Sequence, residues 1–260
     1  MKLSIYLLVI VLLAIFLAYF AWFFTVGSTG PAVVSTVPAL PTATALPTSV
    51  VTPFVPRTPL PSPSSLPSSV LYQVPFMAQA PLNEWDIQLF QDGCEEASLA
   101  LAYRFVVGSF EASPEDIRAE IVAMSKFQDE TYGVAHDRSA WDTARLYEDY
   151  YDAGSAQVAY DVSLEDMKRA LANGSVLVVP MNGRTLANPF YNAPGPDRHM
   201  VVVIGYDQER NEFIVHDVGT RQGASWRYDM NHFLESMRDY PTGTYAPIVQ
   251  ERRAMVVVSR

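Results

Sequence analysis

One cysteine, four histidines and a set of well-placed carboxylates are the residues of this chain that could do covalent chemistry. The cysteine, Cys94, follows Gly93 and precedes a helix-forming run from Glu95 to Phe105 in which Ala97, Leu101 and Phe105 recur at spacings of four. That spacing predicts a helix with one apolar face and places Cys94 at its N-terminus, where unpaired N–H groups and the helix dipole favour a negative charge. A thiolate there could attack a carbonyl carbon. The alternative is a buried structural cysteine, since free Cys is among the most buried residue types.

A thiol hydrolase also needs a histidine to move a proton, a group to orient it, and donors for an oxyanion. His199 opens the apolar run His199–Tyr206 directly after the turn-rich segment Pro194–Arg198. Asp217 closes a following run from Glu212, and Asn211 marks a tight turn between the two. If the runs pair as an antiparallel hairpin, the start of one lies beside the end of the other, which brings His199 and Asp217 together. The bland readings are a solvated histidine and a turn-capping aspartate. His216 points to the opposite face by strand alternation and is the weaker base. His136 in a polar loop and His232 on a surface helix read as bystanders. Gln79 is an oxyanion donor by residue type, although glutamine in a Pro-flanked loop usually faces solvent. No spacing among the histidines suits a metal site.

Positioning these residues requires helices before Cys94's partners and strands around them. Ser113-Pro114-Glu115-Asp116 and Ser163-Leu164-Glu165-Asp166 are helix starts, and a further helix is predicted over 140–151 with Trp141, Ala144 and Tyr147 on one side. Leu71–Phe76 reads as a short strand or an extended lead-in, and strands are predicted over 176–181, 199–206, 212–217, 224–228 and 254–259, with a short helix over 229–237. Helices first and an antiparallel sheet after them make an α+β domain.

That domain spans residues 70–260. It carries all 28 carboxylates and 16 of the 18 basic residues, a balance of −12, which argues against a nucleic-acid partner and against docking on anionic lipid. Residues 1–26 hold no charge after Lys2 and are apolar for long enough to cross a bilayer of about 30 Å, with Tyr19 and Trp22 toward the outer end. They read as an uncleaved signal anchor with its N-terminus inside and the domain outside the cytoplasmic membrane. Residues 27–69 hold 10 of the 19 prolines among Ser, Thr, Ala and Val, and form a linker. Extended at about 3.1 Å per residue, some 40 residues reach roughly 120 Å. A lone cysteine excludes an intramolecular disulfide and any multi-cysteine metal cluster.

The blocks Val74-Pro75-Phe76-Met77-Ala78-Gln79, Gly93-Cys94 with Ala97-Ser98-Leu99-Ala100, His199-Met200-Val201-Val202-Val203-Ile204-Gly205-Tyr206-Asp207 and Phe213-Ile214-Val215-His216-Asp217 resemble the papain-like cysteine peptidases of the bacteriocin-leader (double-glycine leader) peptidase-like group. The resemblance runs over about 72–220. It implies a papain-like α+β fold with Cys94 as nucleophile, His199 as general base and acid, Asp217 as its orienter, and Gln79 beside the Cys94 N–H as oxyanion donor. It implies a peptide or polypeptide substrate and no cofactor. The chain departs from the family in placing Glu95 and Glu96 after the nucleophile, where two carboxylates raise a thiol's pKa unless both point to solvent. Leader-processing members are fused to transporter domains, whereas this chain has a single anchor, so a general surface peptidase is the role carried over. Two alternatives keep or drop the chemistry: a cell-wall amide hydrolase or acyl transferase with the same triad, and a tethered binding module without turnover.

Overall fold

A computed structural model describes residues 66–260 apart from 110, 134–136 and 244. The run read as an anchor, most of the segment read as a linker, and His136 lie outside the described residues. Among the described residues no helix is long and apolar enough to cross a membrane.

Seven strands form one antiparallel sheet: β1 (Ser69–Leu71), β2 (Ser155–Tyr160), β3 (Ser175–Met181), β4 (His199–Asp207), β5 (Glu212–His216), β6 (Trp226–Asp229) and β7 (Ala254–Ser259). The path is β2-β7-β3-β4-β5-β6, and β1 pairs with the far half of β4. Among the described residues seven helices accompany the sheet: α1 (Gln88–Gln91), α2 (Cys94–Val107), α3 (Pro114–Tyr132), α4 (Ala140–Tyr150), α5 (Leu164–Ala172), α6 (Gly183–Leu186) and α7 (Met230–Ser236). β2 and the role of β7 as a central strand were not evident from the sequence order. β1 begins at Ser69, and the Ser68 and Pro67 carbonyls already accept bonds from the Gln208 N–H and the Tyr206 hydroxyl.

Every residue of β3 is buried because the sheet is covered on both sides. Alternation divides the strand: Val176 and Val178 pack with Leu101, Phe105, Ile121 and Tyr147 of α2, α3 and α4, while Leu177 and Val179 pack with Met167, Leu171 and Phe233 of α5 and α7. The described domain is therefore three-layered, with helices on both faces of the sheet.

Two expectations are corrected by this packing. The helix after Cys94 is buried along nearly its whole circumference, not along one apolar face, because it is wedged between the sheet and α3. Its Arg104 is tolerated by an ion pair with Glu120 at 2.6 Å. In α4, Ala144 and Tyr147 are buried as predicted, but Trp141 is turned out and 63% exposed. The helix starts at 113 and 163 are true capping boxes, with Asp116 and Asp166 reciprocating the serine caps.

Candidate active site

Cys94 is the first residue of α2, and the first i−4 bond of that helix is made by the Ala97 N–H to the Gly93 carbonyl. The Cys94 N–H thus has no carbonyl within the helix to bond. The thiol opens onto a cavity of about 620 Å³ that Gln79 and His199 also line.

β4 and β5 form the expected hairpin, with Val202 opposite His216 and Asn211 in the left-handed region at the turn. β5 ends at His216 and Asp217 is the next residue. The pairing brings His199 Nε2 within 2.8 Å of Asp217 Oδ1, with His199 2% exposed and the aspartate fully buried. His199 Nδ1 is the nitrogen left to face a nucleophile. Asp217 collects further donors: Asn188 Nδ2 at 2.9 Å, the Tyr191 hydroxyl at 2.7 Å and the Tyr228 hydroxyl at 2.6 Å on Oδ2, and the Gly219 N–H at 3.2 Å on Oδ1. Burial works to raise the Asp217 pKa. The adjoining imidazole and these donors overcome it and hold the carboxyl below its usual range. Asn188, Tyr191 and Tyr228 are the residues that sequence reading missed, since no local motif links them to a strand end far along the chain.

Gly219 fits against the histidine. A β-carbon there would lie 2.7 Å from His199 Cε1 and 3.3 Å from Tyr191 Cε1, so only glycine leaves the imidazole in place.

His216 is fixed elsewhere. Its Nε2 donates to the Val74 carbonyl at 2.9 Å and its Nδ1 accepts from the Ser225 N–H at 3.0 Å, while burial lowers its pKa. A neutral ring with both nitrogens engaged has a structural role. His232 sits on α7 with Nε2 3.2 Å from the Leu186 carbonyl, away from the cavity. Among the described residues no His/Cys/Asp/Glu group could hold a metal ion.

Gln79 lines the cavity, but its amide donates to the Phe90 and Gln91 carbonyls at 2.9 and 2.8 Å. Both amide protons are thereby committed in this state, and Oε1 is buried without a partner.

Glu95 and Glu96 do not point to solvent: they are 2% and 3% exposed. The Cys94 thiol donates to Glu95 Oε2 at 3.1 Å, and Glu95 Oε1 accepts from the Arg138 N–H at 3.0 Å and the Tyr240 hydroxyl at 2.8 Å. Glu96 accepts from Gln128, which in turn accepts from Arg138 Nε. Burial pushes the Glu96 carboxyl up to about 8, with the Glu95 charge adding to it, so Glu96 carries a proton at neutral pH. Burial, then Glu95, then Glu96 drive the Cys94 thiol well above its ordinary value. Burial together with the two carboxyl groups outweighs the helix terminus.

A thiol at a helix N-terminus, sharing one cavity with an imidazole that a buried carboxylate holds, is the equipment of a thiol-dependent hydrolase. Residues 71–245 match the model of the Peptidase_C39 like family, and the chain belongs to that family, one of cysteine peptidases. A crystal structure described as a C39-like peptidase from Bacillus anthracis is similar at 16% identity and a TM-score of 0.47, covering 74% of this chain and 98% of that one. No curated protein matches.

Proposed function

We propose that the chain is a membrane-anchored cysteine peptidase that cleaves peptide bonds outside the cytoplasmic membrane through Cys94, His199 and Asp217. The observation that carries this reading is the 2.8 Å contact of His199 Nε2 with buried Asp217 on the wall of the cavity that Cys94 lines. With Nε2 tied to Asp217, Nδ1 of His199 takes the thiol proton as sulfur attacks the scissile carbonyl. The resulting oxyanion is met by the Cys94 N–H at the start of α2. His199 then returns the proton to the leaving amine, giving an acyl-enzyme. Water attacks that thioester with the same imidazole as base, releasing the acid and restoring the thiol. Gln79 joins the oxyanion donors once its amide leaves one of the two carbonyls it now serves.

Because the thiol is protonated at rest and turned to Glu95, proton removal accompanies attack and no thiolate is stored beforehand. The anchor reading rests on the uncharged apolar run of residues 3–26, and the proline-rich segment supplies reach from the bilayer. The test is to incubate the full chain in detergent with a complex peptide mixture and read new termini by mass spectrometry. Cleavage is expected with the wild type and absent with Cys94→Ala. Equal patterns from both proteins would refute the assignment, and hydrolysis of cell-wall amides in place of peptides would move it to the amidase alternative.

A further inference from the structure

The charge of the cleft is opposite to that of the domain around it. None of the fifteen described residues lining the cavity is Asp or Glu, although the domain carries all 28 carboxylates of the chain. Two of the fifteen are arginines. Arg198 is largely spent: its side chain is 11% exposed, donates to the Ala246 carbonyl and faces Asp137 at 3.5 Å. Arg221 differs. It is exposed on the β5–β6 connection, pairs with no carboxylate among the described residues, and donates only to the neutral Asn83 Oδ1 at 3.2 Å. The carboxylates behind the reacting groups are not part of the lining: Glu95 and Asp217 are buried beneath their donors, and Glu96 holds its proton, so Arg221 is the exposed charge that an incoming peptide meets.

Resting on the peptidase reading, we propose that the cleft selects peptides carrying a carboxylate near the scissile bond, and that Arg221 is the residue that reads it. A cation in a cleft lined otherwise by neutral groups focuses field toward an incoming anion. The net charge of the rest of the domain, −12 in all, repels the same anion on average. A cationic peptide meets the reverse arrangement: it is drawn to the outer surface and opposed at the site. Phe190, also lining the cavity, 45% exposed and edge-on to Trp226 at 5.3 Å, gives the cleft an apolar face for the neighbouring side chain.

The experiment compares kcat/KM of the full chain on matched fluorogenic peptides that differ only in Glu, Gln or Lys beside the cleaved bond. Each is made with a free and an amidated C-terminus. Glu over Lys by about ten-fold at low salt is expected, the scale of a partly exposed charge pair, shrinking as ionic strength rises. Arg221→Gln should collapse the ratio and Arg221→Glu invert it. The ratio is its own control, since a variant that folds poorly loses all peptides alike. Persistence in the amidated series assigns the recognised carboxylate to the Glu side chain, whereas a preference for free acid over amide that is the same for the Glu, Gln and Lys peptides would place recognition at the chain terminus and not beside the cleaved bond. A Glu-to-Lys ratio that is near one, or that is unchanged in both Arg221 variants, overturns the proposal. If no peptide is cleaved, the peptidase reading has failed, and anisotropy titrations of the same labelled peptides on Cys94→Ala decide the charge preference separately. Tighter binding of the Glu peptide would support it, and equal or weaker binding would end it.

Discussion

Glu95 is in direct contact with the Cys94 thiol, and its charge opposes loss of that thiol's proton. Its carboxylate accepts the thiol's hydrogen bond at 3.1 Å and repels the thiolate that would replace it. Replacing Glu95 by Gln removes that charge while keeping a hydrogen-bonding side chain of the same size. The thiol pKa should therefore fall, and alkylation by iodoacetamide at pH 7 should rise about ten-fold, the effect of one pKa unit. An unchanged pH profile would show that Glu95 does not govern the thiol. Asp217 is the complementary case. Five donors converge on it, and an amide in place of its carboxylate would turn an N–H toward donors, so Asp217→Asn should cut kcat by about 10²–10⁴ with little change in KM. How far the site could be read beforehand follows from these residues. The contact of His199 with Asp217 was available from two apolar runs and a turn, because hairpin geometry needs no distant information. The burial of Glu95 and Glu96 was not, since it depends on Arg138, Gln128 and Tyr240, residues 32–145 positions away that fold over the helix start.

At the scale of elements, β4 is the strand that joins the sheet to the site. It pairs with β3 and β5, carries β1 on its far half, and begins with His199. Gly205 allows the β1 approach: a β-carbon there would overlap the Val70 carbonyl oxygen and lie 2.9 Å from Leu71 Cα, and the ladder to β5 slips by one residue between Val203 and Gly205. Gly205→Ala should therefore destabilise the domain by about 1–3 kcal/mol in urea unfolding, while leaving the His199 end of the strand intact. Gly219→Ala should do the reverse, displacing the imidazole and lowering kcat at least about ten-fold with little loss of stability. Equal effects of the two on stability and turnover would contradict this division. The sequence patterns identified most of these elements by their caps and apolar runs. They did not disclose β2 as an edge strand, because Ser155–Tyr160 alternates weakly and its partner β7 lies nearly a hundred residues on. Trp141 escapes its predicted side for a related reason: periodicity orients a helix only to within a fraction of a turn, and the neighbouring Ala140 and Thr143 take the buried side.

For the whole molecule, the buried acids set how stability follows pH. Glu96 is raised to about 8 in the folded state and titrates near 4.3 when unfolded. Its contribution is complete below about 4.3 and is lost as pH rises toward 8, because the unfolded chain gives up the proton first. Asp217 acts oppositely: its depressed value stabilises above the ordinary carboxylate range near 3.9 and that contribution disappears as pH falls below it. Thermal melts should therefore show a decline between pH 5 and 8 that Glu96→Gln flattens by several degrees, and parallel curves for the two proteins would rule out a proton held on Glu96. At neutral pH the excess of surface carboxylates adds repulsion that salt screens. The claim on which the account stands is that Cys94 is a nucleophile served by His199. It is tested most directly by the rate at which a peptide-length electrophile labels Cys94 in the full chain at pH 7, followed by mass spectrometry alongside His199→Ala. Labelling confined to Cys94 and slowed at least about a hundred-fold in the variant is the predicted result. Equal rates in the two proteins, or a thiol that labels only after unfolding, would contradict it.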